Sequence, residues 1–166
     1  YRISKDGGKS WTPIKTALAG TPGAEKIGYS DPSFVVDRTT GTIFLFSVKS
    51  YDAGLFQSQL GTDPAARNIL HAHVVESHDN GETWVNPRTI TDQVTAGYEG
   101  KWFTRFASSG EGIQLRYGAH AGRLIQQYAV ANAGTTSLMA VSVYSDDHGV
   151  TWKPGAPTEG SADENK

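Results

Sequence analysis

Short runs of β-branched and aromatic residues, bounded by Gly, Asp, Asn and Pro, recur along the whole chain. Several of them alternate between apolar and polar positions, which is typical of strands, whereas the 3.6-residue period of an amphipathic helix is hard to find. The sequence therefore predicts an all-β fold. The predicted strands lie at 33–37, 42–48, 69–77, 83–85, 112–117, 123–130, 138–145 and 151–153.

One motif, S-x-D-x-G-x-[ST]-W, occurs three times, at 4–11, 77–84 and 145–152. The Asp can accept hydrogen bonds from N–H groups of its own turn, the Gly supplies a positive φ, and the Trp covers the hairpin. This chemistry favours a structural turn over the competing interpretation, in which the three carboxylates serve catalysis or bind a metal. The motif also lacks the ligand pattern of an EF-hand loop.

The strands between the motifs follow the same order twice, at 33–85 and at 112–153. The first unit carries an insertion at about 51–68, between its second and third strands, where a loop is expected. Repeated four-stranded antiparallel units are typical of a β-propeller. Because a propeller has about four to eight blades, we expect residues 1–166 to be a fragment with two blades and the closing hairpin of a third.

Antiparallel topology assigns the connections to two faces. The three motifs share one face, and the long connections lie on the opposite face, where binding sites are common. The last residues of a connection lead onto the innermost strand, so we expect Asp31, Glu111 and Glu164 to converge around the central axis. Turn capping is the competing interpretation for Asp31 and Glu111. The long connections are 14–32, 51–68, 86–111 and 154–166.

Composition excludes several classes of protein. The 166 residues include 15 Lys and Arg, 17 Asp and Glu and no Cys, with a pI near 6.2, so neither a nucleic-acid partner nor a disulfide framework is expected. No run of about 18 apolar residues could insert into a membrane, and residues 1–11 do not resemble a signal peptide. His71 and His73 share one side of a strand but have no further ligands nearby in sequence, so we expect no metal and no cofactor.

The repeated motif is the Asp box of the bacterial sialidases (neuraminidases), and the whole chain resembles that family, most of all its secreted actinobacterial members. Asp boxes also occur in other propellers, but five further segments resemble sialidases specifically. The resemblance implies a six-bladed propeller that cleaves terminal sialic acids from glycoproteins, gangliosides and oligosaccharides. It also implies a retaining mechanism with a Tyr nucleophile, and a secreted or cell-surface location. The five segments are 30–33, 41–44, 112–118, 122–127 and 163–166.

The resemblance also implies roles for individual residues. Glu164 would be the carboxylate that takes the proton of the Tyr nucleophile. Asp31 would lie in the sugar pocket, and Val48 and Leu55 would form the wall of an apolar recess for the N-acetyl methyl group. Burial in the core is the competing interpretation for Val48.

The rest of the family's catalytic set is expected outside these residues: three Arg, the Asp acid/base and the Tyr nucleophile. Arg2 begins a look-alike of the family's R-I-P motif, in which Ser4 takes the place of Pro. We interpret Arg105, Arg116 and Arg123 as structural hydrogen-bond donors. We therefore expect the isolated chain to be inactive. The alternative function is a non-catalytic carbohydrate-binding propeller, a lectin or adhesin.

Overall fold

The computed structural model describes residues 1–162, which form two successive sheets of mainly antiparallel strands. Both sheets run from an inner strand to an outer one, so the predicted all-β fold with two four-stranded units is confirmed. A short helix, α1 (Thr91–Thr95), lies between them. The first sheet contains β1 (Gly28–Val36), β2 (Ile43–Ser50), β3 (His71–Ser77) and β4 (Val85–Thr89). The second contains β5 (Trp102–Ala107), β7 (Ile113–Gln114), β8 (Leu124–Asn132), β9 (Met139–Ser145) and β10 (Lys153–Pro154), and β6 (Gly110–Glu111) joins the first sheet.

The inner strand of the second sheet differs from the prediction. The sequence predicts a loop at 86–111 and a strand at 112–117, but the main inner strand is β5. All six residues of β5 are buried, so its sequence lacks the alternation of a half-exposed strand. Among the outer strands, β4 begins at Val85, where the predicted strand ends, and β10 begins only at Lys153.

Aromatic side chains fill the space between the two sheets. The Trp152 ring of the third Asp box meets Phe44 at 5.7 Å and Phe46 at 4.8 Å between ring centroids, both edge-on. A Cβ on Gly149 would lie 2.2 Å from the Phe44 ring, and this glycine has a φ of 82°. The glycine of the box is therefore required both by the turn and by the close approach of the first sheet.

Between β5 and β7 the chain leaves its own sheet. Gly110 and Glu111 pair in parallel with Ser33 and Phe34 of β1, and the Gly112 N–H donates to the Phe34 carbonyl oxygen at 2.7 Å. A Cβ on Gly112 would lie 2.2 Å from a carbonyl oxygen of β8. The inner strand of the first blade is thus directly hydrogen-bonded to residues 110–112, the segment that follows the inner strand of the second blade.

Each Asp box is a closed, hydrogen-bonded turn. In the second copy, Asp79 accepts the Thr83 N–H at 2.8 Å and the Thr83 hydroxyl at 2.6 Å. The Ser77 hydroxyl donates to Asp79 and accepts the Gly81 N–H, and the other two copies form the same bonds. These hydrogen bonds, that of the Thr83 hydroxyl first, lower the pKa of Asp79 to about 2. The three carboxylates are used within their own turns, as the structural interpretation predicts.

Residues 1–15 form the hairpin that the sequence predicts as the end of a preceding blade. Its ends are joined by hydrogen bonds between Tyr1 and Lys15, in which the N–H group of each donates to the carbonyl oxygen of the other. The Tyr1 ring packs edge-on against Trp84, with 5.9 Å between centroids. The hairpin therefore rests on the Asp box of the first sheet.

A buried carboxylate joins the two blades on the Asp-box face. Asp37, at the turn after β1, is fully buried and lies 2.7 Å from His148 Nδ1 and 2.8 Å from Gln114 Nε2, both in the second blade. It also accepts the Thr39 N–H and the Thr40 hydroxyl. Burial raises the pKa of Asp37, but these hydrogen bonds outweigh it and hold the pKa below its ordinary value.

The two histidines of β3 are buried and hydrogen-bonded. His71 Nε2 lies 2.8 Å from the Ala66 carbonyl oxygen and its Nδ1 lies 3.3 Å from Thr91 Oγ1, while His73 Nδ1 lies 3.3 Å from Ser47 Oγ. Within residues 1–162, no group of three His, Cys, Asp or Glu side chains could hold a metal ion. These histidines belong to the core.

We expect stability to fall as the pH drops from about 6.5 to about 4. Burial lowers the pKa of His73 to about 4, and the charges of Lys49 and Arg88 act in the same direction. In this window the unfolded imidazole binds a proton that the folded one does not, so acid favours unfolding. Urea denaturation of the protein that carries this domain, at a series of pH values, would measure the slope.

The matched variants are His73→Phe and His120→Gln, the second at an exposed position. His73→Phe should flatten the dependence of the unfolding free energy on pH, and His120→Gln should leave it unchanged. Equal slopes in the wild type and in His73→Phe would contradict the role given to the buried imidazole.

Candidate functional site

Asp31, Val48 and Leu55, which the sequence places far apart, line one pocket of about 210 Å³ on the face opposite the Asp boxes. We call it the Asp31 pocket. Asp31 comes from β1, Val48 from β2 and Leu55 from the insertion between β2 and β3. The other lining residues are Ser30, Ser50, Ala53, Gly54, Leu70 and Phe106.

Asp31 is positioned by a bulge in β1. The pairing of β1 with β2 shifts between Ser30 and Ser33, and Asp31 has a φ of 51°, a region that few residues other than Gly occupy. Pro32 follows it and has no N–H group to offer the ladder. The Ser30 hydroxyl donates to Asp31 Oδ2 at 2.7 Å. No cationic side chain within residues 1–162 pairs with this carboxylate, which leaves it available to a ligand.

The rest of the pocket is an apolar recess. Val48, Leu70 and Phe106 are buried, with 3, 5 and 8% of their surface exposed, and the partly buried Leu55 packs against them. Val48 thus belongs to the core and lines the pocket at once, so the two interpretations of this residue are compatible. A carboxylate beside a small apolar recess fits a ligand that carries a methyl group and hydrogen-bond donors close together.

The insertion that carries Leu55 is fastened by Arg105. This side chain is fully buried, and its guanidinium donates to the carbonyl oxygens of Gly61, Leu70 and Trp102 at 3.4, 3.3 and 2.7 Å. Burial lowers the pKa of Arg105 to about 10, so it still carries its charge near neutral pH. The contacts confirm that Arg105 is a structural donor.

A second arginine fastens the outer part of the insertion. Arg67 donates to Asp52 through Nε at 2.8 Å and through Nη2 at 3.2 Å, and its guanidinium lies 5.0 Å from the centre of the Tyr51 ring. It also donates to the Ala24 carbonyl oxygen of the preceding connection. The pocket wall is therefore held on both sides.

The remaining predicted site residues lie elsewhere. Glu164 lies outside the described residues. Glu111 does not line the Asp31 pocket; it pairs with Phe34 through β6. The sequence does not indicate Phe106 or Leu70 as site residues: Phe106 lies in the predicted connection 86–111, and Leu70 lies in the predicted strand 69–77 with no sign that it lines a pocket. The aromatic and β-branched residues of the run that contains Phe106, Trp-Phe-Thr-Arg-Phe, were the available signal for a strand.

The described residues of the Asp31 pocket do not form a complete catalytic centre. Among the residues that line it, Asp31 alone has an ionisable side chain. A general acid/base pair or an activated nucleophile requires at least one further group within hydrogen-bonding reach.

The sequence matches the BNR repeat-like domain family over residues 1–166. It is 54% identical over 99% of its length to the sialidase of Micromonospora viridifaciens, and spans 25% of that protein. It is 31% identical over 83% of its length to human sialidase-4, and spans 29% of that protein. The chain thus covers between a quarter and a third of these curated relatives.

Solved structures show the same fold. The Hadza microbial sialidase Hz136 superposes with a TM-score of 0.79 and 28% identity over 95% of this chain, which corresponds to 30% of that protein. The two described sheets are therefore neighbouring blades of a β-propeller.

Proposed function

The chain belongs to the BNR repeat-like domain family and is a sialidase-family domain, and from this premise we propose that the protein that carries it is an exo-α-sialidase. This enzyme is a glycoside hydrolase with a six-bladed propeller fold, and it releases terminal sialic acids from glycans. The Asp31 pocket carries the proposal, because its volume of about 210 Å³ unites a carboxylate that has no cationic partner within residues 1–162 with an apolar recess. Sialic acid presents both an acetamido methyl group and hydrogen-bond donors.

In the proposed reaction, a Tyr outside this sequence attacks the anomeric carbon. Glu164 takes the phenol proton, while a separate acid protonates the leaving glycosidic oxygen. Water then cleaves the sugar–tyrosine bond with retention of configuration. A neutral phenol suits this substrate, because an anionic nucleophile would be repelled by the carboxylate beside the anomeric carbon.

The alternative is a propeller that binds sialic acids or other carbohydrates without cleaving them. The Asp31 pocket alone would serve such a lectin equally well. A fluorogenic sialic acid glycoside distinguishes the two, because only the hydrolase releases the fluorophore. Binding without release in the full-length protein would establish the lectin function.

The substrate classes that we propose are sialylated glycoproteins, gangliosides and oligosaccharides, with no nucleic-acid partner. We propose a secreted or cell-surface bacterial enzyme of carbohydrate metabolism, as the resemblance to the secreted actinobacterial sialidases implies. None of the described helices is long and apolar enough to cross a bilayer.

We expect Leu55→Ala to weaken recognition of the N-acetyl group. Removal of the apolar wall should raise KM for an N-acetylneuraminic acid glycoside about threefold to tenfold, from the loss of buried methyl contacts. KM for the corresponding deaminated sugar, which lacks the acetamido group, should change little. Steady-state kinetics with the two substrates would measure the ratio.

Leu138→Ala is the matched control. Leu138 packs against the same apolar cluster but does not line the pocket, so its loss imitates the packing defect alone. If both variants change the two KM values by the same factor, Leu55 does not contact the N-acetyl group.

A further inference from the structure

A second cleft, of about 780 Å³, opens between the two blades on the same face as the Asp31 pocket. One wall is the insertion at 56–60, the other is the turn at 133–136 between β8 and β9, and Phe103 of β5 lies between them. We call it the interblade cleft. We infer that the interblade cleft binds a neutral hexose ring.

Both walls of the cleft are fixed to the same strand region. The Ser58 hydroxyl donates to the Phe103 carbonyl oxygen at 2.6 Å and accepts the Leu70 N–H at 3.0 Å. On the other side, the Ala133 N–H donates to the Lys101 carbonyl oxygen at 2.8 Å. A cleft with such anchored walls is formed before the ligand arrives, which reduces the entropy that binding must overcome.

The cleft combines exposed apolar surface with exposed polar groups. Phe56 and Leu60 are 48% and 44% exposed, although each is a large apolar residue. Gln59 and Thr136 are exposed; the Gln59 side chain accepts a hydrogen bond from the Asn68 amide through Oε1, and within residues 1–162 its Nε2 group and the Thr136 hydroxyl form none. A hexose ring matches both kinds of group. Its apolar C–H face can pack on the Phe56 ring, and its hydroxyl groups can form hydrogen bonds with Gln59 and Thr136.

The lining also excludes other classes of ligand. Among the described residues, no charged side chain lines the cleft, so a carboxylate or phosphate would lose its hydration without gaining a counter-charge. A wholly apolar ligand would bury Gln59 and Thr136 without hydrogen bonds. A neutral polar ring with one apolar face satisfies both conditions.

The insertion connects this cleft to the Asp31 pocket. Leu55 lines the Asp31 pocket, and its neighbour Phe56 lines the interblade cleft. The hexose has two sources: the next sugar of a glycan held in the Asp31 pocket, or a separate neutral glycan. Only the first source rests on the proposed function, and hexose binding itself does not.

The test measures lactose binding to the full-length protein by titration calorimetry, together with KM for 3′-sialyllactose and for a fluorogenic sialoside. Phe56→Ala should weaken lactose binding about fivefold or more, and Thr136→Val should weaken it by a smaller factor. The control is Tyr117→Ala, which removes an 85% exposed aromatic ring outside the cleft and should leave the lactose affinity unchanged.

The outcomes separate the two sources. If Phe56→Ala also raises KM for 3′-sialyllactose relative to the fluorogenic sialoside, the hexose is part of the substrate; if this ratio stays constant, it belongs to a separate glycan. Wild-type protein that binds no lactose, or equal weakening by Phe56→Ala and Tyr117→Ala, overturns the inference. Lactose binding without any hydrolysis supports the cleft and contradicts only the proposed enzyme.

Discussion

Replacement of Glu164 by alanine in the full-length protein should lower kcat for a fluorogenic sialic acid glycoside by about 10²- to 10⁴-fold. The expected loss is large because a neutral tyrosine is a poor nucleophile, and the carboxylate that accepts its proton acts directly on the reacting oxygen. KM should change much less, since Glu164 is assigned to the chemical step rather than to the Asp31 pocket. Steady-state kinetics of the purified variant would measure both constants.

Glu159→Ala is the control for Glu164→Ala, because it removes an exposed carboxylate five residues earlier. Glu164→Gln adds an isosteric test, since the amide cannot take the proton. If Glu164→Ala retains the wild-type kcat, the assignment of Glu164 fails while the fold and the Asp31 pocket stand. This prediction rests on the resemblance of residues 163–166 to the sialidases.

The second large effect concerns stability. Asp37→Ala should lower the free energy of unfolding by about 2–4 kcal/mol, because it removes a buried carboxylate that accepts hydrogen bonds from donors of both blades. Those donors are the Gln114 amide, the Thr39 N–H and the Thr40 hydroxyl, and His148 loses its partner as well. Urea denaturation of the protein that carries this domain would measure the change.

Asp146→Ala provides the comparison. Asp146 also forms an ion pair, with Arg123 at 2.7 Å, but its side chain is 53% exposed, so its loss should lower the free energy of unfolding far less than the loss of Asp37. Equal losses in Asp37→Ala and Asp146→Ala would show that the buried carboxylate does not hold the blades together.

The predictable part of the fold is local. The Asp boxes could be identified from sequence because the hydrogen bonds of their Ser, Asp and Thr side chains form within eight consecutive residues, as Ser77, Asp79 and Thr83 illustrate. β2 and β3 were found because β-branched residues run between clear turn signals. The sequence does not predict β5, because a strand buried on both faces has no alternation of apolar and polar positions.

In the candidate site as well, some residues could be identified from sequence, while others depend on how the blades pack. The resemblance identified Asp31, Val48 and Leu55, and the structure brings them into one pocket. Phe106 could not be placed there from sequence, because its contact with this pocket depends on how the second blade packs on the first. The positive φ of Asp31 was equally hidden, since it depends on the bulge opposite β2.

The pairing of β6 with the first sheet limits where a recombination crossover can be placed between these two blades. A blade is often treated as a cassette that recombination can copy or replace whole. Here Gly110–Glu111 belongs to one blade in sequence and to its neighbour in hydrogen bonding, so a crossover placed at a blade boundary separates the segment from its partner strand. Chimeras between relatives should keep β1 and residues 110–112 from the same parent. The structural boundary between these two blades therefore lies after residue 112 and not before it.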